Sequence, residues 1–196
     1  MRHCQGSLRE LASDRDLLKN LLVVSVIWAL TSFTFYLIIF KLKSLPGNIY
    51  VNSAFTSIAS ALGHFAALGL YKVMHTRKAM IFFFVLQVIG SVPLCLQQYS
   101  QNAIYTELIL PCSLLVCMFG CAGQFCNLYV SHLDLFPLVF ATTTMGVCNI
   151  VARSVTIFSP LFAEIPYPVP MVTFAVMSLV AAILATQVRD KVKTFY

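Results

Sequence analysis

Long apolar runs separated by short polar breaks set the pattern of this chain. A bilayer core of about 30 Å takes about 20 apolar residues at about 1.5 Å each. Six stretches reach that length: Leu21–Phe40, Asn48–Tyr71, Ala79–Gln97, Thr106–Ser131, Thr142–Phe162 and Val169–Val188. The pattern predicts an all-α, polytopic membrane protein. Residues 1–20 form an N-terminal segment, residues 21–188 a six-helix transmembrane bundle, and residues 189–196 a short basic tail. Proline marks several span ends, while Pro93 and Pro160 fall inside spans and are expected to kink them, because each removes an i→i−4 bond.

Helical spacing separates the spans into two kinds. The fifth carries Thr142, Gly146, Asn149, Arg153, Thr156 and Pro160 at alternating steps of four and three. The fourth carries Ser113, Cys117, Gly120, Gln124, Asn127 and Ser131 in the same rhythm. The second shows Ser53, Ser57, Ser60, His64 and Ala67, and the first Ser25, Trp28, Ser32 and then Phe35-Tyr36. The third and sixth have no comparable stripe. Spans one, two, four and five are thus expected to share a special face, with three and six as outer supports, in a repeat of three plus three. Small residues also let helices pack closely in a membrane. For the second span that explanation is preferred, with His64 a satisfied interhelical group. In the fourth and fifth, Gln124, Asn127, Asn149 and Arg153 are too polar to be mere spacers.

Arg153 is the most informative position. It stands about ten residues from either end of its span, and an arginine at the bilayer centre costs about 2.5–3.5 kcal/mol on insertion scales. Its guanidinium does not shed its proton. The acids Glu107, Asp134 and Glu164 all lie near span ends. Two explanations stand: an ion pair with a helix outside this chain, or an aqueous cavity in which Arg153 meets an anionic substrate group.

Composition supports the membrane assignment. Of 196 residues, 59% are hydrophobic and 10% charged, against about 45–50% and about 25% in soluble domains. The net charge of +6 is scattered among short segments and forms no stripe for a nucleic-acid backbone. Counting Lys and Arg by alternate segments gives ten on the side of the N-terminal segment, second loop and tail, and two, Lys41 and Lys43, on the other. The positive-inside rule then places both termini in the cytoplasm or its equivalent. The first twenty residues are polar and mixed in charge, unlike a cleaved leader, so the first apolar run is expected to target the chain. Seven cysteines include no Cys-x-x-Cys, and most read as small packing residues. No nucleophile–base pair, metal cluster or phosphate loop is recognisable, so neither an enzyme nor a cofactor is expected. His132 near Asp134 reads as a solvated pair.

Taken in order, several short motifs resemble the C-terminal six-helix half of a major facilitator superfamily transporter, in the organic cation/anion transporter branch. They are Trp28 with Phe35-Tyr36, then Gly47-Asn48-Ile49-Tyr50-Val51-Asn52, then Phe125, Tyr129 and Asp134-Leu135-Phe136-Pro137, then Gly146, Arg153 and Ser159-Pro160. The resemblance runs from about Leu17 to Arg189. It implies transport of small organic ions by alternating access, between this bundle and a second six-helix half. It also implies a substrate site of Arg153, Gln124, Asn127, Asn149, Trp28 and Tyr36, and an anion preference, since the position of Arg153 tends to be arginine in anion-moving members. A fixed cation at the midplane also repels organic cations.

The chain departs from the family at its cytoplasmic loops. The expected Asp-Arg-x-Gly-Arg-Arg reads Lys72-Val73-Met74-His75-Thr76-Arg77-Lys78, the expected Glu and Pro of the second span are Ser60 and Leu62, and the arginine after Pro137 is Ala141. In the family these charges latch the two halves. Lys72, Arg77, Lys78 and Asp134 remain here as candidate gating residues, with the basic loop able to pair with Asp134. A membrane subunit or scaffold that keeps the fold without transporting is the alternative.

Overall fold

The computed structural model describes residues 8–99, 102 and 104–188; the basic tail 189–196 lies outside these. Among the described residues the chain is helical throughout, with no strand. A short helix α1 (Leu8–Ser13) precedes α2 (Arg15–Lys41), α3 (Ile49–Val73), α4 (Thr76–Leu96), α5 (Leu110–Leu135), α6 (Leu138–Thr156), α7 (Ser159–Glu164) and α8 (Val169–Ala185). Among the described residues, five helical segments are long and apolar enough to cross a membrane: Arg15–Ser44, Ile49–Val73, Thr76–Leu96, Tyr105–Leu135 and Leu138–Glu164. The sixth, α8, has 17 residues, about 26 Å at about 1.5 Å per residue. That is at the short end of what spans a bilayer. The chain is a six-helix membrane protein.

Local signals place the helix ends. Asp14 Oδ1 accepts from the Asp16 and Leu17 amides at 3.0 and 3.3 Å, so α2 begins six residues before the apolar run. An aspartate in this position satisfies orphan amides of the first turn. The segment 1–20 is accordingly not all free chain: α1 folds back and buries Leu11 beside Leu21, Val24 and Phe136. Gly47, at φ +95°, makes the turn into α3, a conformation that suits a residue without Cβ. Asn48 caps α3 through the Tyr50 amide at 2.9 Å. The fourth span opens with a π-helical turn, Tyr105–Ile109.

The two internal prolines behave differently. Pro93 lies within a continuous α4. Pro160 coincides with a break: α6 stops at Thr156, Ile157 and Phe158 form a turn, and α7 restarts at Ser159. The expected kink is a discontinuous helix, since Pro is readily accommodated in the first turn of a new helix but not inside an old one.

The packing order supports the three-plus-three arrangement. Helix α2 packs on α6 and α8, α5 packs on α3 and α4, and α4 packs on α8. Exchanging α2 with α5, α3 with α6 and α4 with α8 returns the same pattern. Helices α4 and α8 meet through a buried bond from Ser178 Oγ to Gln87 Oε1 at 3.1 Å. Their outer faces are apolar rows: Phe82, Val85, Ile89, Val92 and Leu96 on one, Val172, Val176, Leu179 and Ile183 on the other. These suit lipid tails, while α3 and α6 flank the bundle and remain widely exposed.

Close approach of α5 to its neighbours depends on missing side chains. A Cβ on Gly120 would fall 2.8 Å from Gln87 Cγ and 2.9 Å from the Phe83 carbonyl oxygen; one on Gly63 would fall 2.6 Å from the Phe119 carbonyl oxygen. Both contacts include backbone that has no rotamer to yield. The Gly120→Val variant is therefore expected to destabilise the bundle by about 1–3 kcal/mol. A lowered unfolding midpoint in detergent would check it, with Gly69→Ala as the control that does not lower it; Gly69 has open space around it inside α3.

Candidate functional site

A belt of rings crosses from α2 to α5. Phe35 meets Phe125 at 5.7 Å between centroids, Phe125 meets Tyr129 at 5.5 Å, and Tyr129 meets Trp28 edge-on at 4.8 Å. Two of these residues recur at i and i+4 on α5, the spacing that stacks side chains on one helix face. Tyr36 and Phe40 extend the belt along α2. Helix α6 closes the third side, where the Tyr129 hydroxyl donates to Asn149 Oδ1 at 3.3 Å and Asn149 Nδ2 donates to the Met145 carbonyl at 3.0 Å.

One turn beyond Asn149, Arg153 Nη1 donates to the Tyr36 hydroxyl at 3.1 Å, with its guanidinium carbon 6.0 Å from the Tyr36 ring centre. Arg153 is exposed, in the last turn of α6, next to the break at 157–158. Carbonyls at a helix C-terminus carry partial negative charge and favour a cation there. Two acids at the span ends are engaged elsewhere: Glu164 pairs with Lys43 at 2.6 Å, and Asp134 Oδ2 accepts from the Tyr71 hydroxyl at 2.6 Å. The arrangement offers an aromatic wall, an amide and a fixed positive charge with remaining donors, which is the chemistry of an organic-anion contact.

The six substrate residues read from the sequence do not converge. Arg153, Tyr36 and Asn149 gather at the exposed face between α2 and α6. Trp28 is fully buried behind Tyr129, as a support and not a lining residue. Gln124 and Asn127 are also fully buried. They continue the Gly120 face of α5, whose small residues admit α4, so their stripe packs inside the chain. The α6 stripe is the one that stays open: Thr142, Gly146, Arg153 and Pro160 are exposed, with Asn149 and Thr156 half-buried.

Other readings change as well. On α3 the packing row is Asn52, Thr56, Ala59, Gly63 and Ala67, leaving the serine stripe half-open. His64 is exposed and its Nδ1 donates to the Ser60 carbonyl of its own helix at 2.6 Å, so it is not an interhelical group. His132 is not a solvated partner of Asp134. It is wholly buried, edge-on to Trp28, with Nε2 2.9 Å from Thr144 Oγ1 and 3.2 Å from the Ala141 carbonyl. Lys72, Arg77 and Lys78 are exposed, and the partner found for Asp134 is Tyr71.

Sequence reasoning missed Lys41, which looked like a span-end charge. It is buried, donates to the Ala163 and Ile165 carbonyls at 3.1 Å each, and stands 5.0 Å from the Tyr167 ring centre. With Ser159 Oγ donating to the Phe33 carbonyl at 3.3 Å and Phe33 edge-on to Phe162, it binds α7 to α2. A cleft of about 490 Å³, lined by Gly47, Asn48, Asn52, Thr106 and Glu107 among others, opens at the end of α3 remote from Tyr71. Among the described residues, no three His, Cys, Asp or Glu side chains gather as a metal site.

Two outcomes are expected. Lys41→Met, which keeps the stem and loses the charge, should lower stability by about 1.5–3 kcal/mol, the range for charged hydrogen bonds, measured as a drop in the unfolding midpoint. Arg153→Cys should add a site that reacts with a membrane-impermeant thiol reagent, whereas Gln124→Cys should add none over the native cysteines.

No family model matches the chain. Two curated mouse (Mus musculus) proteins are similar to it. Solute carrier family 22 member 4 is 23% identical over 153 residues, 78% of this chain and 27% of its own length. Solute carrier family 22 member 12 is 26% identical over 157 residues, 80% of this chain and 27% of its own length. The chain thus resembles solute carriers over most of its span and covers about a quarter of their length.

Proposed function

We propose that this chain forms one wall of a membrane transport pathway for small organic ions, with an anion preference set by Arg153. The observation that carries the reading is an exposed Arg153 held by Tyr36 at the end of an aromatic belt, inside a helix pair that must otherwise meet lipid. Lipid is a poor neighbour for an exposed guanidinium. The open α6 stripe and the flank of α3 are then the surfaces that face a second six-helix half, whether on the same polypeptide or another. Tyr36 and Asn149 supply polar contacts at the wall, and Trp28, Gln124 and Asn127 act from behind it. Both termini are cytoplasmic in this reading, with the α3–α4 loop, including Lys72, Arg77 and Lys78, on that side. The Tyr71–Asp134 bond closes the same end of the bundle. The similarity to solute carriers supports the transport class.

A non-transporting membrane subunit that keeps the fold is the second reading. It is favoured by Asp134 being taken by Tyr71, where a charge latch to the basic loop would leave it free.

Uptake into proteoliposomes containing the chain and a matching N-terminal half separates the two. Organic-anion uptake is expected to fall at least about tenfold in Arg153→Gln, equivalent to about 1.4 kcal/mol, with folding retained. Arg153→Asp should reverse the preference toward cations. Unchanged charge preference in Arg153→Asp would remove the anion assignment. Absence of uptake across an anion and cation panel would favour the subunit reading.

A further inference from the structure

The cleft between the start of α3 and the π-helical turn Tyr105–Ile109 takes no part in the transport reading. Its volume of about 490 Å³ falls within the range of small-molecule sites, about 300–1,000 Å³. The register of the π turn leaves a backbone acceptor over. The Leu110 amide is taken by the Tyr105 carbonyl, five residues back. The next amide in that register would serve Thr106, but residue 111 is proline and has no hydrogen to give. The Thr106 carbonyl oxygen faces Gly47, where a Cβ would stand 3.4 Å from it. The missing side chain leaves that oxygen open to the cleft.

Glu107 supplies the one full charge of the lining, and no group among the described residues engages its carboxylate. Several donors of the lining are already spent within the chain. Asn52 Nδ2 donates to the Pro46 carbonyl at 3.3 Å, and the Tyr50 amide to Asn48 Oδ1 at 2.9 Å. The Asn52 amide donates to the Asn48 carbonyl at 3.0 Å, and Thr106 Oγ1 to the Asn102 carbonyl at 3.4 Å. The N-terminus of α3 adds partial positive charge, about half a unit, against the whole negative unit of Glu107. The cleft is therefore negative and rich in open acceptors, and it calls for a positive group that brings its own hydrogens. A primary ammonium carries three N–H donors, whereas a quaternary one has the charge without them. Val51 and Pro111 give the lining an apolar side for a carbon skeleton.

We infer that this cleft binds the primary ammonium group of a small organic molecule, with the Glu107 carboxylate and the Thr106 carbonyl as its acceptors. The cleft lies at an end of two spans, so the ammonium has two sources: a free amine, or the ethanolamine headgroup of a phospholipid. The site is separate from Arg153, which stands on α6 and does not line it. It holds whether or not the chain transports.

Native mass spectrometry of the full chain in detergent tests it with two matched pairs of probes. Dioleoylphosphatidylethanolamine competes with dioleoylphosphatidylcholine, and free ethanolamine competes with choline. In at least one pair the primary amine is expected to be retained about tenfold over its methylated counterpart, as for one charged hydrogen bond. Preference in the lipid pair identifies the headgroup as the source, and preference in the free pair identifies the soluble amine. Glu107→Gln should abolish the preference, and Val51→Trp, which fills the cleft, should abolish binding of the amine. Both positions are exposed, so the fold should survive either change, checked by an unchanged unfolding midpoint. Equal retention within both pairs, or a preference that persists in Glu107→Gln or Val51→Trp, would overturn the inference.

Discussion

A polar group inside a membrane must find its partner within the protein, and that constraint organises this chain. Lys41 shows it most directly. A lysine at the end of an apolar helix would ordinarily extend toward the interface, yet this one turns inward, because α7 ends at Glu164 and leaves the carbonyls of Ala163 and Ile165 within its reach. The end of α7 and the buried cation of α2 are therefore a single feature. Gln87 with Ser178 and Thr144 with His132 obey the same rule on a smaller scale. Arg153 instead stays at the surface, with a tyrosine hydroxyl in place of a carboxylate.

Much of the architecture was legible because a membrane imposes its signature on sequence so strongly. Six apolar runs gave six spans, and the two without a polar stripe are the two with lipid-suited outer rows. The stripes themselves were harder. Periodicity says that residues share a face, but not what that face meets. The rows on α5 and α6 look alike in type and rhythm, yet one is the packed seam against α4 and the other lies open. Gly120 and Gly123 held the clue, since two glycines three apart on a helix admit a neighbour at close range. The α6 row has one glycine, Gly146, with nothing near it.

The candidate site was legible in part for the same reason. Arg153 stood out because a guanidinium inside a span needs water or a counter-charge whatever helices surround it. Its setting did not, because Phe125, Tyr129 and Tyr36 come from two helices whose mutual rotation is fixed only by packing. Trp28 looked like a wall residue and is a buttress. Its ring is held edge-on by Tyr129 and His132, and a side chain so fully enclosed has no surface to offer.

The break at Ile157 and Phe158 has a mechanical consequence. Ser159, Phe162, Ala163 and Glu164 fasten α7 to α2 and its following turn, while α6 before the break touches α2 through its own packing row. The span is thus two levers on one fulcrum. If α6 tilts against α2, the short lever α7 stays with α2 and the two turn residues take up the angle, so the guanidinium at the tip of the long lever would swing while the α7 end of the bundle keeps its shape.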